Sequence, residues 1–96
     1  MNHDDIISSL REKKEEIYQK YRVKQIGVFG SIARGTATDT SDIDIYAEFA
    51  PDADILDYSG LSLELEELFH RSVDIATPSG IRDEMRGSIF RDLIMV

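Results

Sequence analysis

No cysteine occurs anywhere in the 96-residue chain. That excludes disulfide staples and thiolate metal sites, and it fits a reducing, cytoplasmic setting. Long hydrophobic runs are missing as well. The apolar stretches are only a few residues each, whereas a membrane-spanning helix needs roughly 20. The first residues, MNHDDIISSLREKK, are acidic and then basic, with no apolar signal core. Basic residues are scarce: 11 Lys and Arg stand against 19 Asp and Glu, for a formal charge of -8. Nucleic acid is held chiefly by Lys and Arg neutralising phosphates, so this chain is poorly equipped to hold DNA or RNA alone. An acidic excess does suit carboxylates gathered around a divalent cation. No internal repeat, low-complexity tract or linker interrupts the chain. Its length suits one domain over residues 1–96, built on a single core.

What the sequence does contain is clear periodicity. Residues 4–21 predict an amphipathic helix, with Ile6, Ile7, Leu10, Ile17 and Tyr18 on one face and Asp4 and Asp5 at its positive end. Residues 25–30, QIGVFG, predict a strand that stops at glycine, and 31–35 a short helical turn. Residues 42–49, DIDIYAEF, alternate acid and apolar with the period of a strand. Tyr46 and Phe49 are expected in the core or at its rim. A second helix is expected over 57–70 on Leu61, Leu65 and Leu68, a third strand over 72–77 before Pro78, and a last helix over 79–94. In that last helix Ile81, Met85, Ile89, Phe90 and Leu93 form the apolar side. The ending Ile94-Met95-Val96 suits packing on the core, an edge strand or an oligomer contact. The order predicts an α+β fold: a small mixed sheet with helices packed on one face and the other face open to a ligand or partner.

The open face carries the chemistry. In a strand, residues i and i+2 point to the same side, so Asp42 and Asp44 project together while Ile43 and Ile45 turn to the core. Asp74, between Val73 and Ile75, joins them if its strand lies alongside. Three like charges at close range raise one another's pKa, and a hard divalent cation such as Mg²⁺ relieves the conflict through oxygen ligands. Taken alone, Asp-x-Asp is an ordinary solvated strand face. Gly30-Ser31, at the end of the preceding strand, changes its weight. Glycine admits close backbone approach, and amides with a hydroxyl at a helix start form a phosphate cradle. No G-x-x-x-x-G-K-[ST] loop is present. His3 and His70 lie outside these motifs and are expected at the surface. Arg82 and Arg86 stand four residues apart within reach of phosphates, although pairing with Asp83 or Glu84 accounts for them as well.

The run G-S, about ten residues, then D-x-D resembles the signature of the DNA polymerase β-like nucleotidyltransferase superfamily. The longer FGSIARGTATDTSDIDIYAEF, with LELEELFHRSVDIATPSG after it, is similar to the minimal nucleotidyltransferases over nearly the whole chain. The resemblance implies the polymerase β-like palm and transfer of a nucleotidyl group from ATP, with pyrophosphate leaving and two Mg²⁺ ions at the α-phosphate. It assigns Gly30 and Ser31 to the triphosphate, together with Arg34 of the family's A-R-G segment, which Gly35 completes. Asp42, Asp44 and Asp74 become the metal ligands and catalytic acids, with Asp74 helping to activate the attacking hydroxyl. Ile32 stands where the family commonly has a basic residue.

The resemblance also implies a partner. Minimal nucleotidyltransferases commonly act as antitoxins beside a HEPN-domain ribonuclease toxin, several by placing AMP on a toxin hydroxyl. The small size is expected to leave room for the catalytic sheet and little else, so either the acceptor or a second subunit is expected to complete the site. An antitoxin that neutralises the toxin by binding alone is the alternative, and a transferase for a small molecule such as an aminoglycoside is a third reading.

Overall fold

Asn2 opens the first helix. Its side chain accepts from the Asp5 amide while Asp5 accepts from the Asn2 amide, a reciprocal cap. In the computed structural model, which describes residues 2–96, the chain then runs α1 (His3–Tyr21), β1 (Val23–Phe29), α2 (Gly30–Arg34), β2 (Ile43–Phe49), α3 (Ile55–Phe69), β3 (Val73–Ala76), a 3-10 turn (Pro78–Gly80), α4 (Asp83–Asp92) and β4 (Ile94–Met95). Asp54 caps α3 through the same reciprocal device with Asp57. The strand order is β3-β2-β1-β4. β1 is antiparallel to β2 and β4, whereas β2 and β3 are parallel and joined across α3. A parallel pair needs such a crossover, and the mixed α+β sheet read from the sequence is the one observed.

Ile26, Val28, Ile43, Ile45 and Ala47 point to one face, where Ile6, Leu10 and Ile17 of α1 meet Leu61 and Leu65 of α3. All of these are fully buried, and each large aliphatic side chain so placed contributes about 1.5–3 kcal/mol. The buried face of α1 is the expected one, and the third apolar position of α3 is Phe69, with Leu68 only partly buried.

The opposite face departs from expectation. Helices do not stay on one side of the sheet: Ile81 and Ile89, before and within α4, pack on Tyr46, with Phe29, Ala76 and Leu93 around them. α4 is also shorter than the expected 79–94, because Pro78 starts a 3-10 turn and Ile81 and Arg82 are extended. Met85 and Phe90 are half-exposed rather than core residues; Phe90 sets its ring edge-on to Tyr46 at 5.7 Å. The ending is an edge strand, of the outcomes open to it, for Ile94 pairs with Val28 and Met95 with Gly27. Among the described residues no helix is long and apolar enough to cross a membrane.

Candidate active site

The register of β2 against β3 decides the geometry. Asp44 lies directly opposite Asp74, and Phe29 faces Asp44 from β1. Adjacent strands run about 4.8 Å apart, so the two carboxylates are neighbours on the face that α4 partly covers. Asp42 falls just before β2 and is exposed. Ile43, next to it, donates its amide to the Ser72 carbonyl at 2.9 Å, which ties the start of β2 to the start of β3.

Gly30 follows β1 with φ 67°, in the left-handed region. A Cβ at this position would fall on the Asp44 carboxylate, with Oδ2 the nearest atom. The glycine is thus required twice, by its backbone angle and by the close approach of Asp44. Ser31 is half-buried, and among the described residues its hydroxyl makes no hydrogen bond. Gly35 closes α2 at φ 76° in open space, its amide donating to the Ile32 carbonyl at 3.2 Å.

Burial pushes the Asp44 pKa up, the charges of Asp74 and then Asp42 push it further, and Arg34 pulls it back. All three aspartates are therefore electrostatically linked through Asp44. They do not close on a common point: among the described residues no three His, Cys, Asp or Glu side chains are grouped to hold a metal ion. A cavity of about 280 Å³ opens beside them. Asp44, Asp74 and Arg82 line its polar side, and Phe29, Ile81 and Ile89 belong to its apolar wall. A larger hollow of about 330 Å³, between the start of α1 and the loop after α2, includes none of the three aspartates.

The sequence pattern of the family described as "Nucleotidyltransferase domain" matches residues 10–96. The chain belongs to the nucleotidyltransferase domain family. Among its relatives, a candidate protein adenylyltransferase of Methanocaldococcus jannaschii, MJ1215, is 42% identical over 80% of this chain and 90% of its own. The protein adenylyltransferase MntA of Thermococcus cleftensis is 32% identical over 97% and 94%. A solved structure described as a candidate minimal nucleotidyltransferase superposes with a TM-score of 0.77 at 31% identity, covering 98% of this chain and 95% of that one. The complex of a tri-AMPylated Shewanella oneidensis HEPN toxin with an MNT antitoxin shares the fold, at TM-score 0.64 and 17% identity over 92% and 69%. The resemblance to minimal nucleotidyltransferases, and with it the enzyme class, is borne out.

For a nucleotidyltransferase, the basic residues fall into distinct groups. Arg34 donates from Nη1 to Asp92 Oδ2 at 2.6 Å, an ion pair joining α2 to α4. Arg86 pairs with Asp83 at 3.3 Å, as its spacing suggested, and donates to the Pro78 carbonyl. Arg82 is in no ion pair among the described residues, and it lines the cavity that holds Asp44 and Asp74. Ile32 is buried at 1% exposure, so its position faces the core of this protein and not the open site. His3 sits at the surface only in part: 32% of its side chain is exposed, and Nε2 is buried with no hydrogen-bond partner among the described residues. His70 is exposed, as expected, in the left-handed position that ends α3. The apolar wall at Ile81 and Ile89 was legible only as the side of a helix, because nothing local says which sheet face it covers.

Proposed function

We propose that the protein is a Mg²⁺-dependent nucleotidyltransferase that moves AMP from ATP to a hydroxyl of a HEPN-domain toxin and so acts as its antitoxin. The observation that carries this reading is the pairing of Asp44 with Asp74 on the face where Gly30 makes room for the Asp44 carboxylate. The donor set fits a hard cation, since it offers only carboxylate oxygens and their mutual repulsion is relieved by positive charge. Asp44 and Asp74, paired across β2 and β3, are the residues that would hold it, and Asp42, which does not close on a common point with them in the metal-free protein, would be drawn in as the third ligand. Bound there, the metal supplies charge stabilisation for in-line displacement at the α-phosphate.

The chain's own groups do the rest. The Ser31 hydroxyl and the Gly30-Ser31 amides receive the triphosphate, and Arg82, in no ion pair among the described residues, adds the positive charge that Ile32 does not. Asp74 lies exposed on the edge strand β3, open to an incoming hydroxyl whose proton it takes. The hydroxyl oxygen bonds to the α-phosphorus as the bond to pyrophosphate breaks. A protein acceptor is supported by the protein adenylyltransferase relatives. The HEPN partner is supported by the shared fold of the MNT antitoxin complex, and an acidic chain complements a basic, RNA-cleaving protein.

The deciding experiment is intact mass spectrometry of a HEPN-domain toxin, the proposed partner, after incubation with this protein, ATP and Mg²⁺. One or more added adenylyl groups are expected, and none with Asp44→Asn. An unmodified toxin held in a tight complex overturns transfer in favour of neutralisation by binding.

A further inference from the structure

Arg71 stands between the end of α3 and the start of β3, three residues before Asp74. Among the described residues its guanidinium bonds to backbone carbonyls and to no carboxylate. Nε donates to the Ser41 carbonyl at 3.0 Å, and one Nη donates to the same oxygen at 2.6 Å and to the Thr38 carbonyl at 2.7 Å. The loop it grips, residues 36–42, leads from α2 into β2 and ends at Asp42. That loop is also closed on itself: Ser41 Oγ accepts from the Thr38 amide at 2.9 Å, and the Ser41 amide donates to the Thr38 carbonyl at 3.1 Å.

We infer that Arg71 is a positioning residue of the transfer site, clamping the Asp42 loop to the strand that carries Asp74 so that the metal-binding carboxylates keep a fixed separation. This rests on the proposed function. Asp42 lies outside the sheet and is exposed, so strand pairing fixes Asp44 and Asp74 but not Asp42. The Asp42 backbone is held from two directions, by the Ile43 amide on Ser72 at 2.9 Å and by Arg71 on Ser41. Both holds come from adjacent residues of the β3 approach, so movement of one acid-bearing segment carries the other. The planar fork suits this task, because it reaches two carbonyls at once in a set geometry, whereas a lysine ammonium is a single flexible point. Groups that orient metal ligands from behind are typically worth about 10- to 100-fold in metal affinity or activity.

Arg22 provides the control. It too staples a loop, donating to the Asp52 carbonyl at 2.6 Å, but the residues it holds carry none of the three acids. The test is Mn²⁺ binding, read by electron paramagnetic resonance, for the wild type, Arg71→Gln, Arg71→Lys and Arg22→Gln, with melting temperatures and amide exchange of residues 38–42 measured without metal. The expected result is Mn²⁺ affinity weakened about 10-fold or more in Arg71→Gln, incompletely restored in Arg71→Lys and unchanged in Arg22→Gln, with faster exchange at 38–42 only in the Arg71 variants. If Arg71→Gln does not fold, Arg71→Lys decides by the same readouts. Wild-type affinity in folded Arg71 variants overturns the inference and leaves the proposed function standing. Absence of Mn²⁺ binding by the wild type overturns the metal-dependent function itself, and the positioning role with it.

Discussion

Asp44 is held where its charge is unwelcome. Burial first, then the charges of Asp74 and Asp42, push its pKa up from the ordinary aspartate value, and Arg34 offsets this only in part. A group whose pKa is raised on folding favours the fold while it is protonated and loses that advantage as pH rises through its folded value. In the metal-free protein, ionised Asp44 therefore costs stability at neutral pH, and below the unfolded carboxylate pKa it costs nothing. Asp44→Asn should raise the melting temperature near pH 7, and the gain should shrink as pH falls toward the ordinary carboxylate range, while transfer is lost. Calorimetry at several pH values checks this; a variant less stable than the wild type at neutral pH would contradict it. Gly30 shows the same priority of site over stability. Its left-handed backbone and the Asp44 oxygen against its α-carbon leave no room for a side chain, and functional sites commonly concentrate such compromises.

Among the elements, β4 depends on a partner far away in sequence. A Cβ on Gly27 would meet the Ile94 carbonyl oxygen at 2.7 Å and Met95 Sδ at 3.0 Å. Gly27→Val should therefore displace β4 and cost about 1–3 kcal/mol, the usual range for overpacking. Urea denaturation and faster amide exchange at 94–96 would register the change. The same dependence explains what could be read in advance. α1 and the cores of β1, β2 and α3 were legible to within about two residues, because the Ile6, Leu10 and Ile17 spacing and the Asp-Ile-Asp-Ile alternation are local signals. β4 was one of several open outcomes, since two residues carry no alternation of their own. α4 was drawn too long because Ile81 fits helical spacing, whereas its backbone is extended after the Pro78 turn. Of the candidate site, Asp42, Asp44 and Gly30-Ser31 were proposed from one stretch of sequence, and the fold sets Gly30 against Asp44. The pairing of Asp74 with Asp44 needed the strand order, and Arg34 is committed to Asp92 on a helix 58 positions later, a contact no local pattern discloses.

For the whole molecule, charge is the property with a consequence at long range. Nineteen acids against eleven bases give a negative field, which would favour encounter with the basic partner proposed above. Screening confines that field to about 10 Å at 0.1 M salt, so its effect belongs to encounter more than to the docked complex. Mixing the protein with its proposed toxin partner in a stopped-flow experiment should show an association rate that falls steeply between about 20 and 300 mM salt, with dissociation changing much less. Asp44→Asn removes one acid of nineteen, so it should keep nearly the same rate and salt slope while transferring no AMP. That pairing separates the two uses of carboxylate in this chain. A rate insensitive to salt would deny the acidic surface any role in finding the partner and leave the acids of the sheet face as the ones that matter.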